Sequence, residues 1–155
     1  MINVTLPDGT VNEYAAGITC AEVITDALGK KNGCLAALVD GQEKDMSHEI
    51  HQSCKVEGIK AESDAGMHIL RHSTAHLLAQ AVTELYPDAK PTIGPAIDRG
   101  FYYDFAMEPI TEADLKPIHK KMQELARRNF TVERIELDDS ELREHFATNS
   151  YKLEI

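Results

Sequence analysis

The chain has 155 residues, of which 43% are hydrophobic, so it can bury a core and is not expected to be disordered. Acidic residues outnumber basic ones by 26 to 16, and the formal net charge is −10. This balance argues against free-standing, tight nucleic-acid binding, which usually needs a basic surface. The three cysteines show no CxxC spacing, and no apolar run approaches the ~20 residues of a membrane span. We therefore expect a cytoplasmic protein without disulfides.

The first 60 residues are predicted to form a compact β-rich unit with one helix. Apolar residues alternate over 2–6, the pattern of a half-buried strand, and a turn at 7–10 returns the chain as a hairpin. Thr19 is suited to cap a helix that Gly29 ends. Further strands are predicted at 34–39 and 54–56. The order ββα and then β is that of a β-grasp, or ubiquitin-like, fold.

The segment 60–66 is small and polar, and we place a domain boundary there, giving domains at 1–61 and 62–155. A helix is predicted at about 65–86, with apolar side chains on one broad arc and three histidines at its border. Beyond it, the patterns predict a strand at 100–105 and a helix from Thr111 to about 129, which Pro117 kinks or restarts. They then predict a strand at 130–137, a short helix to about 148 and a strand at 151–155. Because a natural chain rarely stops on an edge strand, we interpret this one as a fragment of a longer protein.

The candidate residues for chemistry are His72 and His76. Four residues apart in a helix is one turn, so both imidazoles project from the same side. Neutral imidazoles can bind a metal, accept a proton or orient a water molecule. Zinc normally needs three or four protein ligands, and no cysteine follows the pair, so no metal ligand is assigned. On pattern alone, two histidines at a solvated helix edge are the commoner explanation.

A resemblance over the whole chain favours a functional role for the histidine pair. The segment LRHSTAHLLAQAV at 70–82, followed by IGPAIDRGFYYDF at 93–105, resembles the editing domain of bacterial threonyl-tRNA synthetases. The likeness continues to the Ser-Tyr-Lys segment at 150–152, and residues 1–60 resemble the TGS domain that precedes the editing domain in that family. The resemblance implies an α+β chain, with a β-grasp TGS domain over 1–61 and a truncated α+β editing domain over 62–155.

Editing answers a physical limit, because one methyl group separates threonine from serine and discriminates by only about 1–3 kcal/mol. A second site then hydrolyses tRNA(Thr) that carries serine. The resemblance implies that His72 and His76 position the attacking water and the terminal ribose. It assigns Lys152 to stabilising negative charge or donating a proton, and Tyr103 to closing the pocket in preference to Tyr102. The residues alone would make Lys152 an exposed strand lysine and both tyrosines core aromatics.

The resemblance also implies parts that this chain lacks. The family completes its pocket with a Cys-x-x-x-His segment and an acidic residue, both expected beyond residue 155. The parent enzyme would be a threonine–tRNA ligase that uses ATP, Mg and Zn in an absent catalytic core and forms a homodimer through that core. Its partner would be the acceptor end of tRNA(Thr), with no membrane partner, and no cofactor is expected in this fragment.

Two other functions remain open from the residues. The chain could be a non-catalytic β-grasp binding module, or a small metal-dependent hydrolase that uses the HxxxH pair. A basic strip on the helix after Thr111 could approach tRNA phosphates, although a solvated helix face is the commoner explanation. The strip consists of Lys116, Lys120, Lys121, Arg127 and Arg128.

Overall fold

The structure is a computed structural model that describes residues 1–132 and 135–153. It divides into two compact units, Met1–Leu70 and the residues from Arg71 onwards. Each unit has its own cluster of buried apolar side chains. The division falls inside a helix, whereas the sequence predicts a domain boundary after residue 61, and that boundary stays a prediction.

The first unit is a five-stranded sheet with one helix. The sheet has the order β2-β1-β7-β4-β5, in which β1 and β7 are parallel and the other neighbours antiparallel, while β3 and β6 form a separate pair. This topology confirms the predicted β-grasp and adds the short strands β3, β5 and β6. The elements are β1 (Ile2–Thr5), β2 (Val11–Tyr14), β3 (Ile18–Thr19), α1 (Cys20–Leu28), β4 (Cys34–Val39), β5 (Gln42–Lys44), β6 (Glu49–Ile50) and β7 (Cys54–Lys60).

Helix α1 begins and ends where its sequence signals lie. The Glu22 carboxylate accepts hydrogen bonds from the backbone N–H and the hydroxyl of Thr19, which satisfies a donor at the helix start. Gly29 ends the helix at φ 84°, a conformation that costs glycine little. The buried face of α1 joins side chains of the sheet in one core, which comprises Ile2, Val4, Cys20, Val23, Ile24, Ala37, Ile50, Cys54 and Val56.

Helix α2 confirms the predicted second helix and crosses the division between the units. Its buried residues Ala81 and Val82 lie on the predicted apolar arc. Ala75 and Ala79 are buried outside that arc, and Leu70, which is predicted to lie on it, is 45% exposed. The elements are α2 (Asp64–Leu85), β8 (Lys90–Pro91), β9 (Ala96–Ile97), β10 (Gly100–Phe101), β11 (Phe105–Ala106), α3 (Glu112–Arg128), α4 (Asp139–His145) and α5 (Ser150–Leu153).

The second unit packs α2 against α3 and a short ladder. Val82, Ala89 and Ile118 are its buried centre, with Phe105 and other apolar side chains packed around them. Strands β8 and β11 pair antiparallel, and β9 and β10 form a separate antiparallel pair. The single strand predicted at 100–105 is therefore wrong, because the segment changes pairing partner between β10 and β11.

Two further strand predictions are wrong. Residues 130–132 and 135–137 form no strand, and their side chains Phe130, Val132 and Ile135 are mainly exposed. Residues 133–134 lie outside the described residues. The end of the chain is helical over α5, with the backbone N–H of Lys152 donating to the carbonyl of Asn149 at 3.1 Å. Residues 154–155 of that predicted strand lie outside the described residues.

Helix α3 runs through Pro117 without a break, so the predicted restart of the helix there is wrong. Its start is stabilised as predicted at Thr111, whose backbone N–H and hydroxyl both donate to the carboxylate of Asp114. Asp114 also accepts a hydrogen bond of 2.7 Å from the hydroxyl of Tyr86, at the end of α2. This carboxylate therefore links the first turn of α3 to α2.

Candidate active site

Helix α2 holds His72 and His76 side by side. Their Nε2 atoms lie 3.0 Å apart, the ring centroids 4.6 Å apart, and the rings are nearly perpendicular at 85°. At this distance one Nε2 must donate a hydrogen and the other accept it, so the pair holds one proton between the rings. A second proton between them would bring two N–H groups face to face.

The environment of His76 favours its neutral form. Partial burial of the imidazole is the largest cause that lowers the pKa of His76 below its ordinary 6.5, and the neighbouring His72 and then Lys152 lower it further. Both histidines keep a face open to solvent. At neutral pH, His76 is therefore an accessible base, which is what activation of a water molecule requires.

Lys152 comes to the histidine pair from a distant part of the sequence. It lies on α5 and is half-buried, and its Nζ is 6.0 Å from the centre of the Tyr103 ring. Its ammonium is also close enough to His76 to lower the pKa of that imidazole. The structure thus brings His72, His76, Lys152 and Tyr103 into one cluster within the second unit.

Tyr103 has a defined place beside this cluster. Its ring stacks on Phe105 at a centroid distance of 4.9 Å and an angle of 26°. Gly94 lies directly against the same ring, and a Cβ atom at that position would overlap it. Tyr102, in contrast, is 48% exposed. Of the two tyrosines, Tyr103 is the one held next to Lys152.

Asn149 is a residue at this cluster that sequence reasoning missed. Its Nδ2 donates a hydrogen bond of 3.0 Å to the backbone carbonyl of Pro91, 58 residues away in the chain. Its Oδ1 is buried and has no hydrogen-bond partner in the described part of the chain. In the sequence Asn149 lies between a predicted helix and a predicted strand, where asparagine is an ordinary turn residue, so no signal pointed to this contact.

The cluster does not provide a metal site of the usual kind. Across residues 1–132 and 135–153, no three His, Cys, Asp or Glu side chains are placed to hold one ion. Two imidazoles fall short of the three protein ligands that catalytic zinc sites use. The donor set therefore does not fit the alternative of a small zinc hydrolase.

The basic strip on α3 is partly neutralised. Lys121 forms ion pairs with Glu84 at 3.5 Å and with Glu124 at 3.2 Å, and Arg128 also pairs with Glu124. Lys116, Lys120 and Arg127 are exposed. The positive charge that α3 offers to a phosphate backbone is smaller than the sequence suggests.

Comparison with known proteins gives matches to both parts of the chain. Residues 2–60 match the family model of the TGS domain. The threonine–tRNA ligase of Alkalilimnicola ehrlichii is 46% identical over 98% of this chain, and that of Francisella tularensis subsp. tularensis is 44% identical over all of it. These matches cover 24% and 25% of the two relatives, so the chain spans about a quarter of their length. In the described residues, no helix is long and apolar enough to cross a bilayer.

Proposed function

We propose that this chain, which carries a TGS domain and is homologous throughout to the N-terminal region of threonine–tRNA ligases, contributes post-transfer editing to such a ligase. The reaction is hydrolysis of the ester that links serine to the terminal ribose of tRNA(Thr). The observation that carries the proposal is the meeting of the His72–His76 pair with Lys152 beside Tyr103.

The chemistry assigns a separate task to each group. Neutral His76 accepts a proton from the attacking water, and the 3.0 Å contact with His72 holds its ring in place. The ammonium of Lys152 stabilises the negative charge that develops on the ester. The bond between the carbonyl carbon and the ribose oxygen breaks, the ribose oxygen takes up the proton that His76 received from water, and serine is released. The lowered pKa of His76 supports this assignment, because the imidazole is uncharged at neutral pH.

The aromatic side of the site supports a role in holding the substrate. The Tyr103 ring is fixed between Phe105 and the backbone of Gly94, so it forms a rigid wall next to the lysine. A rigid wall limits the volume for the amino-acid side chain, which is the property needed to admit serine and disfavour threonine.

The remainder of the proposal concerns the longer enzyme. We assign ATP-dependent charging of tRNA(Thr), with its Mg and Zn, and the homodimer contact to the part of the ligase outside this chain. The acceptor end of tRNA(Thr) is the partner of this region, and Lys116, Lys120 and Arg127 are the side chains available for its phosphates. A cytoplasmic location belongs to the same proposal.

The test measures release of serine from seryl-tRNA(Thr). It uses this chain alone and this chain joined to the remaining three-quarters of the Alkalilimnicola ehrlichii ligase. We expect His72→Ala and His76→Ala each to slow hydrolysis about 100-fold, the usual scale of a lost acid–base group. His119→Ala is the matched control, because His119 is an exposed helical histidine whose ring forms a hydrogen bond with the side-chain amide of Gln123. Wild-type rates in both site variants would refute the proposed role of the pair.

A further inference from the structure

Asn149 stands at the point where the segment that carries Lys152 meets the sheet of the second unit. Its side-chain amide donates to the carbonyl of Pro91, in β8, and β8 pairs with β11 at Pro91 and Phe105. Phe105 in turn stacks on Tyr103. One side-chain hydrogen bond therefore ties the approach to α5 to the strands that carry the aromatic wall.

The same residue also starts the turn on which Lys152 lies. The carbonyl of Asn149 accepts the backbone N–H of Lys152 at 3.1 Å. The side chain of Asn149 is bound to the carbonyl of Pro91 and its backbone carbonyl to the N–H of Lys152. Movement of Asn149 would therefore move the lysine with it. The neighbours of the lysine, Tyr151 and Leu153, are 42% and 39% exposed.

The orientation of the amide is set by its contact. The carbonyl oxygen of Pro91 can only accept a hydrogen bond, so the group facing it must be Nδ2. Oδ1 then points into a buried position without a partner in the described part of the chain. A buried acceptor without a partner is costly, so a simple packing role would be served better by an apolar side chain. The donor to Pro91 is the feature that requires an asparagine here.

We propose that Asn149 is a positioning residue for Lys152, which holds the ammonium between the Tyr103 ring and the histidine pair. This inference rests on the proposed function for its importance in the reaction, but its geometry can be tested without that reaction. Because the charge of Lys152 lowers the pKa of His76, the pKa of His76 reports whether the ammonium is in place.

The experiment titrates the imidazole signals of this chain by NMR in four forms: wild type, Asn149→Ala, Lys152→Met, and the double variant. We expect Lys152→Met to raise the pKa of His76 by a few tenths of a unit, as loss of a nearby screened charge does. Asn149→Ala should raise it in the same direction, and should add nothing in the Lys152→Met background. Asn3→Ala, an exposed asparagine of the first unit, is the control and should change nothing.

Three results would overturn the inference. The first is an unchanged pKa of His76 in Asn149→Ala when Lys152→Met raises it, and the second is an unchanged pKa in Lys152→Met itself. The third is an equal effect of Asn149→Ala with and without Lys152. If Asn149→Ala unfolds the second unit, Asn149→Ser replaces it, and unfolding of both variants would make the side chain structural and also overturn the inference.

Hydrolysis of seryl-tRNA(Thr) is measured on the same variants to separate this inference from the proposed function. Editing by the wild type with a large loss in Asn149→Ala is the result expected when both hold. A complete absence of hydrolysis in every form would refute the proposed function, while the titrations would still decide whether Asn149 positions Lys152.

Discussion

His76 illustrates how single residues acquire their properties in this molecule. One helical turn places Nε2 of His76 3.0 Å from Nε2 of His72. The fold then adds the charge of Lys152, which lies 76 positions later in the sequence. The turn of α2 can be predicted from the sequence spacing alone. The lysine cannot, because its approach depends on α5 and on the contact between Asn149 and Pro91.

The hydrogen bonds of the Asp114 carboxylate predict a pH dependence of stability. Its hydrogen bonds from the hydroxyl of Thr111, first, then from Tyr86 and the backbone of Thr111 lower its pKa from 3.8 to about 2. A lowered carboxyl pKa contributes stability that is complete above about pH 4 and is lost as the pH falls towards 2. The advantage of the wild type over Asp114→Asn in urea unfolding of α3 should therefore shrink between these pH values.

The control for Asp114 is Glu112→Gln, which changes another acidic residue in the first turn of α3. Its difference from the wild type should not follow the same course. An advantage of the wild type over Asp114→Asn that stays constant from pH 6 to pH 2 would show that the carboxylate hydrogen bonds add no stability.

The close approach of Gly94 to the Tyr103 ring gives a second prediction about a single residue. A methyl group at this position would overlap the Tyr103 ring, so Gly94→Ala should displace that ring from Phe105. NMR contacts between the two rings should weaken, and seryl-ester hydrolysis should fall if Tyr103 forms the wall of the site. Tyr102→Phe, at the exposed neighbour, should leave both unchanged. Unaltered ring contacts in Gly94→Ala would contradict the close approach.

At the scale of elements, helix α1 and the sheet of the first unit stabilise each other through one core. Ile24 is 2% exposed and lies in that core, whereas Leu28 on the same helix is 55% exposed. We expect Ile24→Ala to reduce the free energy of unfolding by about 2–5 kcal/mol, the range for removing a buried isoleucine. Urea unfolding followed by circular dichroism would measure it. Leu28→Ala is the matched control, and an equal loss in both variants would contradict the packing described.

The elements that could be predicted are those with a complete local signal. Helix α1 has a cap at Thr19, an apolar face and a glycine stop, and α2 has a long apolar arc, so both appear in the sequence pattern. The strands predicted at 130–137 and 151–155 rested on alternation alone. Alternating apolar residues do not specify which strand they would pair with, and the described residues of both segments are not in strands.

The residues of the proposed site could be predicted, but the contacts that hold them in place could not. The family resemblance pointed to the four predicted site residues, His72, His76, Lys152 and Tyr103. Only the histidine pair could also be singled out by its spacing, which places both rings on one side of a helix. Gly94 and Asn149 act through close approach and through a hydrogen bond across 58 positions. Neither effect leaves a periodic pattern in the sequence.

At the scale of the whole molecule, the chain combines a TGS domain of β-grasp topology with a second unit that holds all four predicted site residues. Its formal charge of −10 does not favour nucleic-acid binding by this chain alone. In the proposed function, tRNA recognition therefore relies mainly on the part of the ligase outside this chain, with the exposed cations of α3 as a local contribution. The chain covers about a quarter of each of the two ligases compared with it.

The most direct test of the account compares hydrolysis of seryl-tRNA(Thr) and threonyl-tRNA(Thr) by this chain joined to the rest of a homologous ligase. We predict that the seryl ester is cleaved much faster than the threonyl ester. Replacement of both His72 and His76 by alanine should abolish cleavage without removing the charging of tRNA with threonine. Equal cleavage of the two esters, or undiminished cleavage of the seryl ester after loss of both imidazoles, would contradict the account.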